Sequence, residues 1–217
     1  MLSPAHCGGR RARQLLSPHA DFELARRLRS DEGAPLGDVF AFVSGLYFRG
    51  KLAYARRFVA PPPIDARRGQ IGVHIITATS GLRPPERRIG PAELISFAAE
   101  SIDATNLGFT RPLTRSARTL RASIGFECAV VLLGSIATPK YVDVLLDVFG
   151  DRLLFPVGFV GRGDMSRGGL LLRQVDAGVE LEYAPVRGAA RRGTRPPRLP
   201  PLPRADRSGV AGVWSQE

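Results

Sequence analysis

The sequence has little cysteine, little lysine and no long apolar run, and each shortage excludes a class of protein. Two cysteines in 217 residues cannot build a disulfide framework, which predicts a reducing, cytoplasmic setting. No apolar run approaches the roughly 18 residues that a membrane span requires, so we expect no membrane partner. The cysteines and histidines fit no zinc-ligand spacing, and we predict neither a metal nor a cofactor.

Several motifs that define enzyme classes are also absent. There is no Gly-x-Ser-x-Gly elbow, which removes the argument for a serine hydrolase. No Gly-x-Gly-x-x-Gly follows the first apolar run, which argues against the common dinucleotide fingerprint. Residues 45–51 (GLYFRGK) nearly match the phosphate-binding loop, but Leu52 replaces its metal-binding hydroxyl residue. The first turns of an amphipathic helix are the simpler interpretation of this stretch.

Positive charge is abundant, at a formal net charge of +11, and it is concentrated near both ends of the chain. Residues 1–30 carry a net +4 and residues 187–207 a net +6, whereas residues 31–186 carry only +2. Basic ends of this kind can attract nucleic acid without sequence preference. A solvated tail is the alternative interpretation of the same arginine-rich composition. Only two of the 31 basic residues are lysines, Lys51 and Lys140. A chain this rich in arginine keeps lysine either by chance or for its compact ammonium group.

Apolar runs that alternate with amphipathic stretches predict the fold class. Strands are expected at residues 39–43, 72–78, 127–133 and 152–155, and helices at 21–30, 46–59, 91–101, 111–122 and 139–149. A glycine-rich loop is expected at 156–169, followed by a hairpin of residues 170–175 and 179–183. The alternation implies crossover connections between strands. We therefore predict an α/β fold with a three-layer, largely parallel sheet and helices on both faces.

The composition also predicts how the chain is divided. Residues 1–20 mix proline, glycine, arginine and histidine, and we expect an irregular N-terminal segment there. Residues 21–185 are expected to form a single α/β domain. Residues 186–217 are rich in arginine and proline and poor in apolar residues, which predicts a disordered basic tail.

The predicted strands end in short turns of serine, threonine and glycine. In open parallel sheets, ligands bind outside the carboxyl ends of the strands, where small residues let them approach the backbone. The candidate ligand-binding residues are therefore Ser44, Gly45, Lys51, Ser80, Gly81, Gly134, Ser135, Lys140, Arg162, Ser166 and Arg167. Turns between strands and helices also use glycine and serine for geometric reasons alone, and that alternative stays open.

Asp164 is the candidate catalytic residue. It lies between Arg162 and Arg167, which would keep its carboxylate ionised and able to orient a water molecule or bind a ribose hydroxyl. A turn aspartate that caps its own backbone is an equally weighted alternative.

Three stretches carry a resemblance to a known group: VFAFVSGLYFRGKLAYA, IITATSGLRPPE and VVLLGSIATPKYVDVL. They begin within residues 39–82 and 127–170, which resemble uncharacterised bacterial proteins with a Rossmann-like, uracil-DNA-glycosylase-like core. In that superfamily a serine-containing loop contacts the nucleic acid or nucleoside, and residues 161–169 (GRGDMSRGG) occupy a similar place. The early Gly-Gln-Asp-Pro and late His-Pro-Ser motifs of that group are missing, so the resemblance transfers no catalytic residue.

The resemblance implies a fold that handles nucleotides, nucleosides or nucleobases. The enzymatic version of this hypothesis is a hydrolase or transferase of N-glycosidic chemistry. The alternative is a noncatalytic module that senses a nucleotide or binds nucleic acid. The expected partner is a small-molecule nucleotide or nucleoside, with nonspecific nucleic acid attracted by the basic ends.

Overall fold

The structure is a computed structural model that describes residues 1–61 and 72–199. Its α-helices are α1 (Arg10–Leu16), α2 (Glu23–Arg29), α3 (Leu36–Ser44), α4 (Leu46–Phe58), α5 (Pro91–Ala99), α6 (Leu107–Ser123), α7 (Val142–Phe149) and α8 (Asp164–Ala177). Its strands are β1 (Ala34–Pro35), β2 (Ile75–Thr77), β3 (Gly81–Arg83), β4 (Arg88–Ile89), β5 (Val130–Val131), β6 (Leu153–Pro156) and β7 (Tyr183–Pro185). Within this described part of the chain, no helix has both the length and the apolar character that crossing a membrane requires.

The strands pair in three small sheets. Strands β5 and β6 are parallel, and β7 joins the other edge of β6 in antiparallel orientation. Strands β2 and β3 form an antiparallel hairpin, and β1 and β4 form a separate antiparallel pair. Among these named strands only the β5–β6 pair is parallel. The pairing of the named strands therefore does not confirm the prediction of a largely parallel sheet.

Leu2 connects two of these sheets. It forms parallel bridges with Ile75 of β2 and with Leu133, two residues beyond β5. The Leu2 N–H donates to the His74 carbonyl at 2.7 Å, and the Leu133 N–H donates to the Met1 carbonyl at 2.8 Å. Neighbouring segments therefore follow one another in the order β3, β2, Leu2, β5, β6 and β7.

Side chains of the bridged segments alternate between two hydrophobic clusters. Leu2 and Ile75 belong to the cluster that includes residues of α3, α4 and α8. Met1 and Ile76 belong to the cluster that includes residues of α6 and α7. Because successive residues of a strand point to opposite faces, the two clusters lie on opposite faces of these segments. The fold is therefore of the α/β class, with small sheets packed against helices.

Helices α4 and α8 approach each other closely because glycines lie at their contact. A Cβ atom on Gly50 would lie 2.8 Å from the Gly168 carbonyl oxygen, and one on Gly168 would lie 2.9 Å from the Tyr47 Cα atom. Neither position has room for a side chain. This approach places Tyr47 and Lys51 of α4 within electrostatic reach of Arg167 on α8.

The strand predicted over residues 39–43 is wrong, because these residues lie in helix α3. An apolar run does not by itself distinguish a buried strand from a buried helix. Phe40 is 1% exposed, and its ring meets that of Phe48 on α4 edge-on, with 5.4 Å between centroids. Ser44 and Gly45 therefore mark the junction of two helices and not the carboxyl end of a strand.

The glycine-rich loop predicted over 156–169 ends earlier than expected, and the hairpin predicted over 170–175 and 179–183 is wrong. Helix α8 begins at Asp164, where an acidic residue suits the first turn. Gly178 ends the helix with a left-handed backbone at φ +66°, which glycine adopts without strain. The following chain supplies β7 as an edge strand for β6.

The two ends of the described chain also differ from expectation. The prediction of irregular structure over 1–20 is wrong for Arg10–Leu16, which forms α1, and Leu2 is fully buried. Residues 186–199 form neither helix nor strand, although Arg187 makes an ion pair with Asp151 at 2.8 Å. The rest of the predicted tail, residues 200–217, lies outside the described residues.

Candidate functional site

Lys51 is a buried cation on helix α4. Only 1% of the residue is exposed, and its ammonium donates to the carbonyl of Ser3 at 2.7 Å and to the Oγ of Ser3 at 2.8 Å. The rings of Tyr47 and Phe48 each have their centroid 4.6 Å from the Lys51 Nζ. Burial lowers the pKa of Lys51 to about 7, so the amine changes charge near neutral pH.

The Lys51 ammonium makes no ion pair with a carboxylate in the described part of the chain. An ammonium group has three N–H donors, and Ser3 receives two of them. Buried charges are normally paired or neutralised. After burial, the largest influences on the pKa of Lys51 are Asp164, which raises it, and Arg167, which lowers it. The surroundings of Lys51 therefore suit an added negative group.

Two turns bring Ser3 and Gly134 together. Ser3 follows Leu2 and Gly134 follows Leu133, and these two leucines pair in parallel. A Cβ atom on Gly134 would lie 2.7 Å from the Ser3 Cβ and 2.9 Å from the Tyr141 hydroxyl oxygen. Only glycine therefore fits at this turn.

The chain leaves these two turns toward opposite faces. From Ser3 it continues to α1, whose Leu15 belongs to the hydrophobic cluster that contains Leu2. From Ser135 it continues to α7, whose Leu145 belongs to the other cluster. Open α/β sheets bind ligands at such a divergence, outside the carboxyl ends of two neighbouring strands.

Tyr47 lies one helical turn before Lys51 and carries a buried hydroxyl that has no hydrogen-bond partner among the described residues. Burial raises the pKa of the Tyr47 hydroxyl, and the neighbouring Arg167 guanidinium opposes that rise. Leaving a buried hydroxyl unpaired costs about 1–3 kcal/mol. A ligand atom that hydrogen bonds to Tyr47 would recover part of this free energy.

Asp164 and Arg167 connect the cluster to the surface. The Arg167 side chain is 10% exposed, and it donates to the Phe159 carbonyl and to the Asp164 carboxylate, each at 3.2 Å. The Asp164 side chain is 69% exposed. Tyr141, whose hydroxyl donates to the Ser135 carbonyl at 2.9 Å, is also within electrostatic reach of both residues.

Two pairs of predicted site residues have other roles. Gly45, with φ +66°, turns the chain from α3 into α4 beside the Arg11 guanidinium, and Ser44 precedes it. Ser80 ends the turn after β2 and Gly81, with φ +70°, begins β3, where the Thr77 hydroxyl donates to the Gly81 carbonyl at 2.8 Å. Backbone geometry explains the glycine or serine at both places.

The remaining predicted residues lie around the cluster. Lys140 is exposed on the turn before α7, and the exposed Asp103 is one of its electrostatic neighbours. Arg162 donates to the Gly158 carbonyl at 2.9 Å and to the Ser166 hydroxyl at 3.2 Å, which holds the start of α8. The structure thus brings together Lys51, Gly134, Ser135, Asp164 and Arg167 from the predicted set.

Sequence reasoning did not select three residues of the cluster: Ser3, Tyr47 and Tyr141. Tyr47 has a signal in the sequence, because it precedes Lys51 by four positions and therefore shares its face of a helix. Ser3 has none, because the strand-like segment at Leu2 is too short to show alternation.

Two cavities in the described part of the chain lie outside this cluster. The first, of about 400 Å³, adjoins the last turns of α4 and the beginnings of β2 and β5. The second, of about 670 Å³, lies beside α7 and includes Phe149 and Arg152. Neither cavity is lined by Lys51. Of the cluster residues, Asp164 has an exposed side chain and Ser135 is half-buried.

Comparison with known proteins adds no identification. No protein-family model, no curated protein and no solved structure matches this chain. Any function for the Lys51 cluster therefore has to be argued from its own geometry.

Proposed function

We propose that this protein binds a nucleotide or nucleoside at the carboxyl ends of its central parallel segments. The observation that carries the proposal is Lys51, a buried ammonium that has no carboxylate partner in the described residues and a donor left after its two hydrogen bonds to Ser3. The binding residues we assign are Ser3, Tyr47, Lys51, Gly134, Tyr141 and Arg167.

The order of the segments supports a ligand at this place. Leaving aside the separate β1–β4 pair, the Leu2 segment can be numbered as strand 1 and β2, β3, β5, β6 and β7 as strands 2 to 6. The observed order of neighbours is then 3-2-1-4-5-6, which is the order of doubly wound folds. Hydrophobic clusters on both faces support the three-layer, Rossmann-like architecture predicted from the sequence. In such folds the first and fourth strands flank the ligand, and here Ser3 and Gly134 follow those two segments.

The charges of the cluster favour an anionic group. Lys51 and Arg167 contribute two positive charges, and Asp164 offsets one of them. A phosphate group has oxygens for both the point-like ammonium and the planar guanidinium. The absence of a Cβ at Gly134 lets Ser3, which accepts both hydrogen bonds from Lys51, lie against this turn and the Tyr141 hydroxyl.

The aromatic residues favour a ligand larger than free phosphate. Tyr47 and Tyr141 combine apolar rings with hydroxyl groups, which suits contact with a base and with ribose hydroxyls. The Tyr47 hydroxyl, which lies near Arg167, provides one further hydrogen bond to a bound ligand.

Binding should depend on the charge of Lys51. An anion stabilises the ammonium form, so affinity is full at pH values below the Lys51 pKa of about 7 and falls as the pH rises above it. Asp164, Arg167 and Tyr47 face Lys51 electrostatically or by contact. The Met1 amine is a further electrostatic neighbour of Lys51, and burial and then Lys51 lower its pKa to about 5, below the range in which Lys51 loses its charge. The slope of affinity against pH therefore reports on Lys51 itself.

The enzymatic version of the proposal assigns Asp164 to the reaction. Its exposed carboxylate lies at the solvent side of the cluster and is held by Arg167, where it can orient water toward a glycosidic carbon. This version predicts that Asp164→Asn abolishes release of the free base from a nucleoside or nucleotide while binding persists. If the wild-type protein binds a nucleotide or nucleoside without turnover, the enzymatic version is wrong and the noncatalytic sensor is the version that remains.

The test is a thermal-shift and calorimetric screen with nucleosides, nucleoside mono-, di- and triphosphates, and inorganic phosphate. A ligand at 100 times its dissociation constant stabilises a protein by about 2.7 kcal/mol. We expect the shift to disappear in Lys51→Met and Arg167→Met. The matched control is Lys140→Met, at an exposed lysine, which should bind as the wild type does.

Two results would overturn the proposal. One is that no compound of the screen binds the wild-type protein. The other is that a bound compound stabilises Lys51→Met and Lys140→Met equally, with both variants shown to be folded by circular dichroism.

A further inference from the structure

The cavity of about 400 Å³ lies at the amino ends of the parallel segments, whereas the Lys51 cluster lies at their carboxyl ends. Its lining includes Met1, His74 and Val130, which stand at or just before the amino ends of the parallel segments. Tyr54 and Phe58, from the last turns of α4, close one side. The volume falls within the range of about 300–1,000 Å³ that is usual for small-molecule sites.

A chain of hydrogen bonds forms the polar wall of this cavity. The hydroxyls of Tyr54 and Tyr183 are 2.6 Å apart, and the Tyr183 hydroxyl donates to the Glu180 carboxylate at 2.8 Å. The Leu181 N–H donates to the Tyr54 hydroxyl oxygen at 2.7 Å. Tyr54 and Tyr183 are thereby fixed in place, with Glu180 at the exposed end of the chain of bonds.

The charge of the lining contrasts with that of the whole protein. The chain has 31 basic residues, but among the residues that the structure describes no lysine or arginine lines this cavity. Burial lowers the pKa of His74 to about 4, so its imidazole is neutral at pH 7. Among the described lining residues, Glu180 contributes a carboxylate at the exposed side of the cavity.

We propose that this cavity binds a small apolar amine, with the ammonium group between the Glu180 carboxylate and the rings of Tyr54 and Tyr183. The aromatic faces attract a cation, and the carboxylate hydrogen bonds to it. The hydrocarbon part of the ligand lies among apolar residues such as Ile124, Val131 and Leu133. This site shares no residue with the Lys51 cluster, and the proposal does not rest on the nucleotide hypothesis.

The test compares three probes of one shape and different charge: 2-phenylethylamine, 2-phenylethanol and phenylacetate. Calorimetry at pH 7 should rank the amine first, by about fivefold or more over the alcohol, because only the amine gains the ionic and cation–π contacts. The carboxylate should bind weakest, since it meets Glu180 with like charge.

A pair of variants separates Glu180 from general effects on the protein. Glu180→Gln should lower the affinity for the amine about fivefold and leave the affinity for the alcohol unchanged. Glu182→Gln, at an exposed glutamate that does not line the cavity, should change neither. Both substitutions are at exposed positions, so folding of the variants is not at stake.

Cys128 provides a second measurement, because it lines the cavity and is only half-buried. The amine should slow alkylation of Cys128, as measured by peptide mass spectrometry. The proposal is overturned if none of the three probes binds or protects Cys128 at about 10 mM, the weak end of small-ligand affinity. It is also overturned if alcohol or carboxylate binds as tightly as the amine, or if Glu180→Gln and Glu182→Gln behave alike.

Discussion

The burial of Lys51 predicts an unusual dependence of stability on pH. Its pKa is about 7 in the folded protein and returns to its ordinary value of 10.5 on unfolding. Between these two pH values the unfolded chain holds a proton that the folded protein has released. The free energy of unfolding attributable to Lys51 therefore rises with pH across this window and is constant below pH 7.

The size of the effect follows from the linkage relation. One proton of difference changes the free energy of unfolding by about 1.4 kcal/mol per pH unit. From pH 7 to about pH 9.5 the Lys51 contribution should therefore rise by about 3 kcal/mol. Lys51→Met keeps an unbranched side chain, one atom shorter, and removes the ionisable group, so the pH dependence of the difference between the two proteins reports this contribution.

The assay is urea-induced unfolding of both proteins at intervals from pH 6 to pH 9.5. Titration of the buried Cys7 affects both proteins equally and cancels in the difference. Lys140→Met is the control, because an exposed side chain loses no hydration on folding and should leave the difference flat. Parallel stability curves for wild type and Lys51→Met from pH 7 to pH 9.5 would show that Lys51 is not buried as described.

Three further predictions concern the packing of the fold. Gly168→Ala should destabilise the protein by about 1–3 kcal/mol because the new Cβ meets the α4 backbone, whereas Gly169→Ala should be neutral or stabilising, and thermal unfolding measures both. Equal melting temperatures for these two variants would contradict the close contact of α4 and α8. Leu2→Ala should cost about 2–5 kcal/mol in urea unfolding because Leu2 is fully buried between two sheets, and a cost below about 1 kcal/mol would argue against the bridge. Cys128 should react with a thiol reagent well before Cys7, since Cys7 is 4% exposed and burial raises its pKa to about 12. Mass spectrometry locates the label, and earlier labelling of Cys7 would refute this assignment of burial.

Elements with strong local signals were predictable from the sequence. The helix expected at 91–101 is confirmed as α5, which has a proline in its first turn, where a missing N–H is harmless. The helix expected at 139–149 is confirmed in its main part as α7, and Gly150 ends it with a positive φ of +58°. The strands expected at 72–78 and 152–155 are confirmed around β2 and β6.

Elements defined by distant contacts were not predictable in this way. The apolar run of α3 suits a strand or a helix, and the packing of Phe40 against α4 decides between them. The glycines of α8 indicated a loop, yet Gly168 is buried because α4 lies against it. In both cases the deciding neighbour is another helix, which local sequence does not reveal.

The candidate site shows the same division. Lys51 stood out because lysine is rare in this chain, and Gly134 and Ser135 because they follow a strong apolar run. Ser3 depends on the bridges of Leu2 to residues far along the chain, for which the sequence near Ser3 contains no sign. Residues held by local chemistry could be predicted, and residues held by long-range pairing could not.

The bridges of Leu2 also constrain the order of folding. Leu2 reaches its place only when both Ile75 and Leu133 are present and paired on either side of it. These pairings join Leu2 to residues that lie 73 and 131 positions further along the sequence. Closing such large loops slows folding, because the entropy of the chain must be lost before the contacts form. Assembly of this sheet is thus expected to be a late event in folding, completed when the Leu2 segment enters between Ile75 and Leu133.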